Sequence, residues 1–255
     1  VHPQTRWTHA AVPRPRARLR LYCIPYAGSG AGIFRTWPDG LGDLVEVRGV
    51  ALPGRERRFN EPALTSVNAI ADQLAPALTG EPGPPFAIFG HSLGAKIAFE
   101  VTRRLTASGG GPVHLLVSGA RAPHLGESDP PYHRLPDAEF LAAVRALGGT
   151  PPELAANEEF LELMLPTLRA DFMAAETYRL PPARPLPCPI TAFGGAADPL
   201  VARADLDAWA AHAGDGFRVH ALPGDHFFLA SARARLLELI GRELAPHVEG
   251  HAPGD

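Results

Sequence analysis

Pro85-Phe86-Ala87-Ile88-Phe89-Gly90-His91-Ser92-Leu93-Gly94-Ala95-Lys96-Ile97-Ala98-Phe99-Glu100-Val101 decides how this 255-residue chain folds. The opening run to Phe89 is short and apolar, the pattern of a buried strand. The closing run from Ala95 repeats apolar residues at helical spacing. Between them Gly90, Ser92 and Gly94 form G-x-S-x-G. A strand–G-x-S-x-G–helix is a nucleophile elbow, a turn so sharp that its serine sits in a strained backbone conformation and only small residues let strand and helix pass that close. The serine Oγ then stands clear at the C-terminal edge of the sheet, near the positive end of a helix. The competing reading is an ordinary helix-capping serine.

Outward from the elbow, strands and helices alternate. Strand-like runs lie at 19–25, 45–52, 85–91, 113–119, 189–195 and 217–222. Helix-like runs lie near 64–79, 93–107, 201–213 and 229–246. This rhythm predicts an α/β fold, a mostly parallel sheet with helices on both faces, in one domain over 19–248. From about 124 to 187 no strand is expected. Short helical patterns near 136–147, 157–165 and 167–178, set apart by Pro-Pro pairs at 130–131, 151–152 and 181–182, predict a helical lid over the C-terminal edge, where open sheets bind ligands. Residues 1–18 read as a flexible arm and 249–255 as a flexible tail.

Composition narrows the function. A net charge of -3 gives no reason to expect nucleic-acid binding, and Lys96 is the only lysine among the 24 basic residues. No apolar run approaches the roughly 18 residues that span a membrane. Residues 1–18 are rich in Pro and Arg and show no signal-peptide core. Cys23 and Cys188 are too few for a disulfide framework. The expectation is a cytoplasmic protein and, with no heptad repeat or long exposed apolar helix, a monomer. No H-E-x-x-H, paired-Cys, G-K-[ST] or G-x-G-x-x-G pattern occurs, so neither a metal nor a nucleotide cofactor is expected.

A serine hydroxyl needs a base, and the base a carboxylate that fixes its tautomer. On an elbow fold the chain order is Ser, Asp or Glu, then His. His226, in Leu222-Pro223-Gly224-Asp225-His226, follows a strand and precedes the last helix, so it sits on Ser92's edge of the sheet. Asp198, in Gly194-Gly195-Ala196-Ala197-Asp198-Pro199, closes the preceding strand, although it also suits a helix cap. Asp225 adjoins the base and points elsewhere, while Asp205 and Asp207 read as solvated helix surface. His91 is a packing residue, His212 lies on a helix, His220 in a strand, and His247 and His251 in the tail. Two N–H donors must face the oxyanion. Leu93 supplies one, and the Gly-rich loop Pro25-Tyr26-Ala27-Gly28-Ser29-Gly30 supplies the other, assigned to Ala27.

These segments resemble the type II thioesterases, stand-alone editing enzymes of polyketide and non-ribosomal peptide (antibiotic) synthesis in the α/β-hydrolase superfamily. The likeness runs in order through Ile24-Pro25-Tyr26-Ala27-Gly28-Ser29-Gly30 with Phe34-Arg35-Thr36-Trp37, Leu52-Pro53-Gly54-Arg55-Glu56, the elbow, Leu165-Pro166-Thr167-Leu168-Arg169-Ala170-Asp171-Phe172 with Glu176-Thr177-Tyr178, and Gly224-Asp225-His226-Phe227-Phe228. It covers roughly residues 19–246. The family often carries His at Tyr26, Gly at Ser29 and Met at Leu93; none of these departures touches the triad. The resemblance implies hydrolysis of an acyl thioester held on the phosphopantetheine arm of an acyl or peptidyl carrier protein, with no cofactor of the enzyme's own. It implies an acyl chamber under the lid, with Tyr26, Leu161, Met164, Leu168, Phe172 and Met173 as candidate walls; the lid stripe equally suits packing on the core. Arg55, Arg57 and Arg58 are candidate contacts for an acidic carrier or plain solvated surface, and Arg14, Arg16 and Arg18 are weaker ones. A general carboxylesterase or lipase on the same fold, a non-catalytic carrier-binding module and an acyltransferase are the alternatives.

Overall fold

The computed structural model describes residues 6–80, 83–126, 131–149 and 157–249. Its sheet contains β1 (Thr8–His9), β2 (Leu19–Ile24), β3 (Val45–Val50), β4 (Phe86–His91), β5 (His114–Ser118), β6 (Ile190–Gly195) and β7 (Phe217–Leu222). The order across the sheet is β1-β3-β2-β4-β5-β6-β7. Only β1 runs antiparallel to its neighbour. The parallel strands begin and end within a residue or two of the expected runs. The helices are α1 (Pro38–Leu41), α2 (Val67–Thr79), α3 (Leu93–Ala107), α4 (Asp137–Leu147), α5 (Glu158–Thr177), α6 (Arg203–Asp207), α7 (Phe228–Ser231) and α8 (Arg233–Glu249).

Parallel strands covered on both faces carry near-continuous apolar runs, and side-chain alternation sends neighbours to opposite cores. Along β2, Leu19, Leu21 and Cys23 enter the core under α8, with Phe34 and Trp37. Tyr22 and Ile24 enter the other core, shared with α2 and α3. Along β4, Ala87 and Phe89 face the first core and Ile88 the second. Ser66 caps α2 by accepting from the Ala69 amide at 3.5 Å, and Asn157 caps α5 by accepting from Phe160 at 3.0 Å.

Strand order reverses between β2 and β4. From β2 the chain goes outward to β3, then crosses to β4 on the other side. Loops leaving the two strands therefore diverge and open a crevice at their C-terminal ends, the binding position of open α/β sheets. The pairing of Ile24 with Gly90 puts the Pro25–Gly30 loop and the elbow side by side there.

Between β5 and β6 lies the expected cap. α4 and α5 pack through Phe140, Val144 and Leu168, with Tyr132, Met164 and Phe172 at the margin. Two helical patterns meeting at Pro166 were expected, but one helix runs unbroken from Glu158 to Thr177. A helix-interior proline costs a backbone hydrogen bond. Here Leu161 before it and Thr167, Leu168 and Ala174 after it are all buried, so packing on both sides holds the helix through the break. Leu186 adds an isolated bridge to Ala213.

The supposed arm also differs from expectation. β1 pairs Thr8 with Val50 and His9 with Gly49. Trp7 is buried, its carbonyl accepts from Ala51 N–H at 2.8 Å, and the Arg58 guanidinium lies 4.0 Å over its ring. The segment is anchored by an aromatic residue that the Pro/Arg composition around it masks. Residues 1–5, the expected tail beyond Glu249 and the Pro151-Pro152 pair lie outside the described residues, as does Pro130.

Candidate active site

Ser92 has φ 53° and ψ -116°, the strained conformation expected of an elbow serine. Two backbone bonds fix it: its N–H donates to Ser118 O at 2.8 Å, and its carbonyl accepts from Ala95 at 2.9 Å. The glycines show why the motif needs them. A Cβ on Gly90 would lie 2.1 Å from the Gly94 carbonyl oxygen, and one on Gly94 would lie 2.3 Å from the oxygen of Ile24. Ser92 makes no side-chain capping bond to α3, which sets aside the capping reading.

His226 and Asp198 approach because their two loops are stitched together. Ala196 donates to Leu222 O at 2.7 Å and Ala197 to Gly224 O at 2.9 Å. Gly195 permits the contact, since a Cβ there would fall 2.1 Å from the Asp225 carbonyl oxygen. Asp198 Oδ2 accepts from His226 Nδ1 at 2.8 Å, while its Oδ1 accepts from Leu200 N at 2.8 Å and Val201 N at 3.3 Å. The Asp198 side chain is fully buried, and these donors compensate its lost hydration. Its partners are a loop and an imidazole, not the start of α6, so the capping alternative falls away. With Nδ1–H committed to the carboxylate, Nε2 is left as the basic nitrogen. Asp225 turns away and accepts from Phe227 N at 2.8 Å.

Ser92 and His226 open into one cavity of about 170 Å³. Tyr26, Leu168 and Phe172, the expected acyl-chamber walls, also line it, together with Ala27 and Leu93, the residues assigned as oxyanion donors. Met164 and Met173 do not. Met164 lies one turn before Leu168 and packs toward Phe140 and Val144; Met173 is rotated off the Leu168–Phe172 face, about 100° per residue around the helix. Leu161 is buried away from the cavity.

Sequence reasoning missed the polar part of this cavity's lining, Lys96, Arg121, Tyr132 and Glu176. Lys96 lies one helical turn beyond Ser92, so both share a face of α3, a spacing that offered a signal. Its Nζ donates to the Ala175 carbonyl at 3.0 Å. Burial, opposed by the nearby Glu176 carboxylate and reinforced by Arg179 and Arg121, lowers its pKa to about 7. Glu176 accepts from His133 Nδ1 at 2.5 Å and from the amides of Tyr132 and His133.

His91 and His247 pack against other side chains of the fold. His91 is fully buried, with Nδ1 2.9 Å from Ser118 Oγ and its ring 5.2 Å from that of His226. Burial first, and His226 second, hold its pKa well below the ordinary value. His247 lies within α8 rather than a tail, and its Nε2 sits 3.3 Å from His114 Nδ1.

The arginines are a correction. Arg55 and Arg58 are buried, and only Arg57 of the three is exposed. Arg55 pairs with Asp171 through two 2.7 Å bonds, and Arg58 pairs with Glu61 at 2.7 Å. Arg14 is engaged by Asp43 and Glu46. Asp205 is likewise only partly solvated, pairing with Arg121 at 3.1 Å.

The fold and this site define a serine hydrolase of the α/β-hydrolase kind. The thioesterase domain family matches residues 19–244, and the chain belongs to that family. It is 42% identical to "Linear gramicidin dehydrogenase LgrE" of Brevibacillus parabrevis, over 97% of this chain and 95% of that one. That name speaks of a dehydrogenase; the family matching this chain is a thioesterase. The chain is 40% identical to thioesterase PikA5 of Streptomyces venezuelae, over 88% and 80%. Among solved structures, the type II thioesterase BorB from the borrelidin biosynthetic cluster superposes with a TM-score of 0.86 at 36% identity, covering 95% of this chain and 97% of that one. The protein is a hydrolase of thioesters, of the type II class found in polyketide and non-ribosomal peptide pathways. Among the described residues no helix is long and apolar enough to cross a membrane.

Proposed function

We propose that the chain releases acyl groups from the phosphopantetheine arm of an acyl or peptidyl carrier protein, through a Ser92–His226–Asp198 triad and an acyl-serine. The observation that carries this reading is the 2.8 Å Asp198–His226 contact, which orients a histidine lining the same cavity as Ser92. Ser92 Oγ attacks the thioester carbonyl while His226 Nε2 takes its proton. The Leu93 and Ala27 amides receive the oxyanion. As the intermediate collapses, the carbon–sulfur bond breaks and His226 returns the proton to the departing carrier thiolate. Water then attacks the acyl-serine with His226 again as base, and the free acid leaves with Ser92 restored. Asp198 holds the imidazole in the productive tautomer and stabilises its cation. In this reading the carrier brings the acyl group on its own phosphopantetheine arm, and the enzyme acts as a cytoplasmic monomer with no cofactor of its own.

Leu168 and Phe172 favour an apolar acyl chain, and the cavity is about the size of engineered ones that hold a benzene ring. An esterase with the same triad is disfavoured by the family match over nearly the whole chain. The test compares acid release from an acylated carrier, from the same acyl group on a small thiol and from the matched oxygen ester, with Ser92→Ala as control. Serine-dependent release fastest from the carrier is expected. Faster turnover of the oxygen ester contradicts the proposal.

A further inference from the structure

We propose that Asp171, on cap helix α5, is a positioning residue that holds the oxyanion loop in its working shape, a step that rests on the assignment of Ala27 as an oxyanion donor. Asp171 Oδ2 accepts from the Gly28 amide at 2.7 Å, one residue beyond Ala27. The same carboxylate takes both arms of Arg55, each at 2.7 Å. Arg55 Nη1 in turn donates to the Ser29 carbonyl at 3.0 Å. One buried ion pair thus grips the loop by a donor and an acceptor on consecutive residues. The exposures of its side chains, 4% and 1%, leave little room for water to substitute.

The surroundings are built to the same end. Gly28 has φ +77°, and a Cβ there would fall 2.4 Å from Leu168 Cδ2, so the loop lies directly against α5. Thr167 Oγ1 donates to Gly54 O at 2.9 Å, tying the same helical turn to the strand-exit turn that carries Arg55. The next residue, Glu56, accepts from the amides of Ala31 and Gly32 at 3.0 and 2.9 Å. It holds φ 47°, a left-handed conformation rare for a non-glycine residue. The Arg55-Glu56 pair therefore braces the second half of the loop and the turn that follows it, and Asp171 locks the brace to the cap.

Oxyanion donors act through preorganisation, and displacement of about 1 Å costs on the order of a hundredfold in rate. The test uses the full-length enzyme with the double variant Arg55→Met/Asp171→Leu and the single variant Asp171→Asn. Replacing a buried ion pair by apolar residues of similar size is often neutral or stabilising, whereas removing one partner strands the other. The double variant is therefore expected to fold with a melting temperature near wild type while Gly28 N–H loses its acceptor. Release of acid from an acylated carrier gives kcat and KM. Inhibition by an acyl trifluoromethyl ketone reads the oxyanion site directly: Ser92 Oγ bonds to its carbonyl carbon, the proton passes to His226, and the oxygen becomes an anion. The expected result is a roughly ten- to hundredfold fall in kcat, unchanged KM, and ketone affinity lowered by the same factor. A folded double variant with wild-type kcat and ketone affinity overturns the proposal, as does a loss confined to KM. Variants that lose fold and activity together mark the pair as structural and overturn it too. Wild-type enzyme with no Ser92-dependent release or ketone inhibition instead defeats the underlying oxyanion assignment.

Discussion

Asp198 Oδ2 lies 2.8 Å from His226 Nδ1, although the two residues leave different strands and are 28 positions apart in the chain. Because the carboxylate is fully buried and also accepts from two backbone amides, its position is fixed before the imidazole meets it. Asp198→Asn presents an amide that can donate to Nδ1 and so favour the wrong tautomer. Thioester turnover is expected to fall about 10³- to 10⁴-fold, as in other triads. The melting temperature should shift by only a few degrees. The check is kcat beside a thermal melt; a drop below tenfold contradicts the role of Asp198.

Gly90→Ala should be among the most damaging single-methyl changes in the chain. Its Cβ would meet the backbone carbonyl of Gly94 at 2.1 Å, and backbone in a helix start has nowhere to retreat. Overpacking of this kind costs about 1–3 kcal/mol, and sometimes more. Urea unfolding reads the loss. By contrast, Gly110→Ala, where no heavy atom lies within 4 Å of the added methyl, is expected to be near neutral.

Lys96 predicts a pH-dependent effect on stability. Burial lowers its folded pKa to about 7 from an ordinary 10.5. Between those values the unfolded chain binds a proton that the folded chain lacks, so this residue makes stability rise with pH across the window. Below pH 7 both states hold the proton and the full cost of the buried charge is present. Lys96→Met should therefore stabilise most at pH 6 relative to wild type, and less at pH 9. Urea melts of both proteins at the two pH values decide it. A larger benefit at pH 9 contradicts the assignment.

Acid should unfold the protein partly through its buried histidines. Burial, helped by the His247 charge, lowers His114 to about 4, and burial with His124 lowers His212 to about 4. From pH 6.5 down to 4 the unfolded chain takes up protons that these side chains refuse, so stability falls across that range. His114→Gln should flatten this part of the stability–pH curve. An unchanged slope rules out the contribution of His114.

Much of this was readable from the chain because it is local. A glycine pair around Ser92, an apolar run before it and an apolar helix after it define the elbow without reference to anything distant. The pairing of Asp198 with His226 was legible because each follows a strand, and parallel strands deliver their C-terminal loops to one edge. Arg55 was read as exposed, whether a docking contact or solvated surface, because its partner, Asp171, lies 116 positions away, and nothing in a Pro-Gly-Arg turn announces that it is covered. Trp7 anchors an arm whose composition reads as loose. At Pro166 local propensity argued for a break that packing on both sides overrides. Lys96 sits one turn from the nucleophile, yet its contact with the cap becomes visible only when α5 lies across α3.

The most direct test of the central claim is rapid-quench mass spectrometry of the enzyme mixed with an acylated carrier protein. The account predicts a transient acyl mass on the peptide containing Ser92, formed as the carrier thiol is freed and decaying as acid accumulates, with neither event in Ser92→Ala. Acid released at the wild-type rate by Ser92→Ala, or an acyl adduct on another residue, would contradict it.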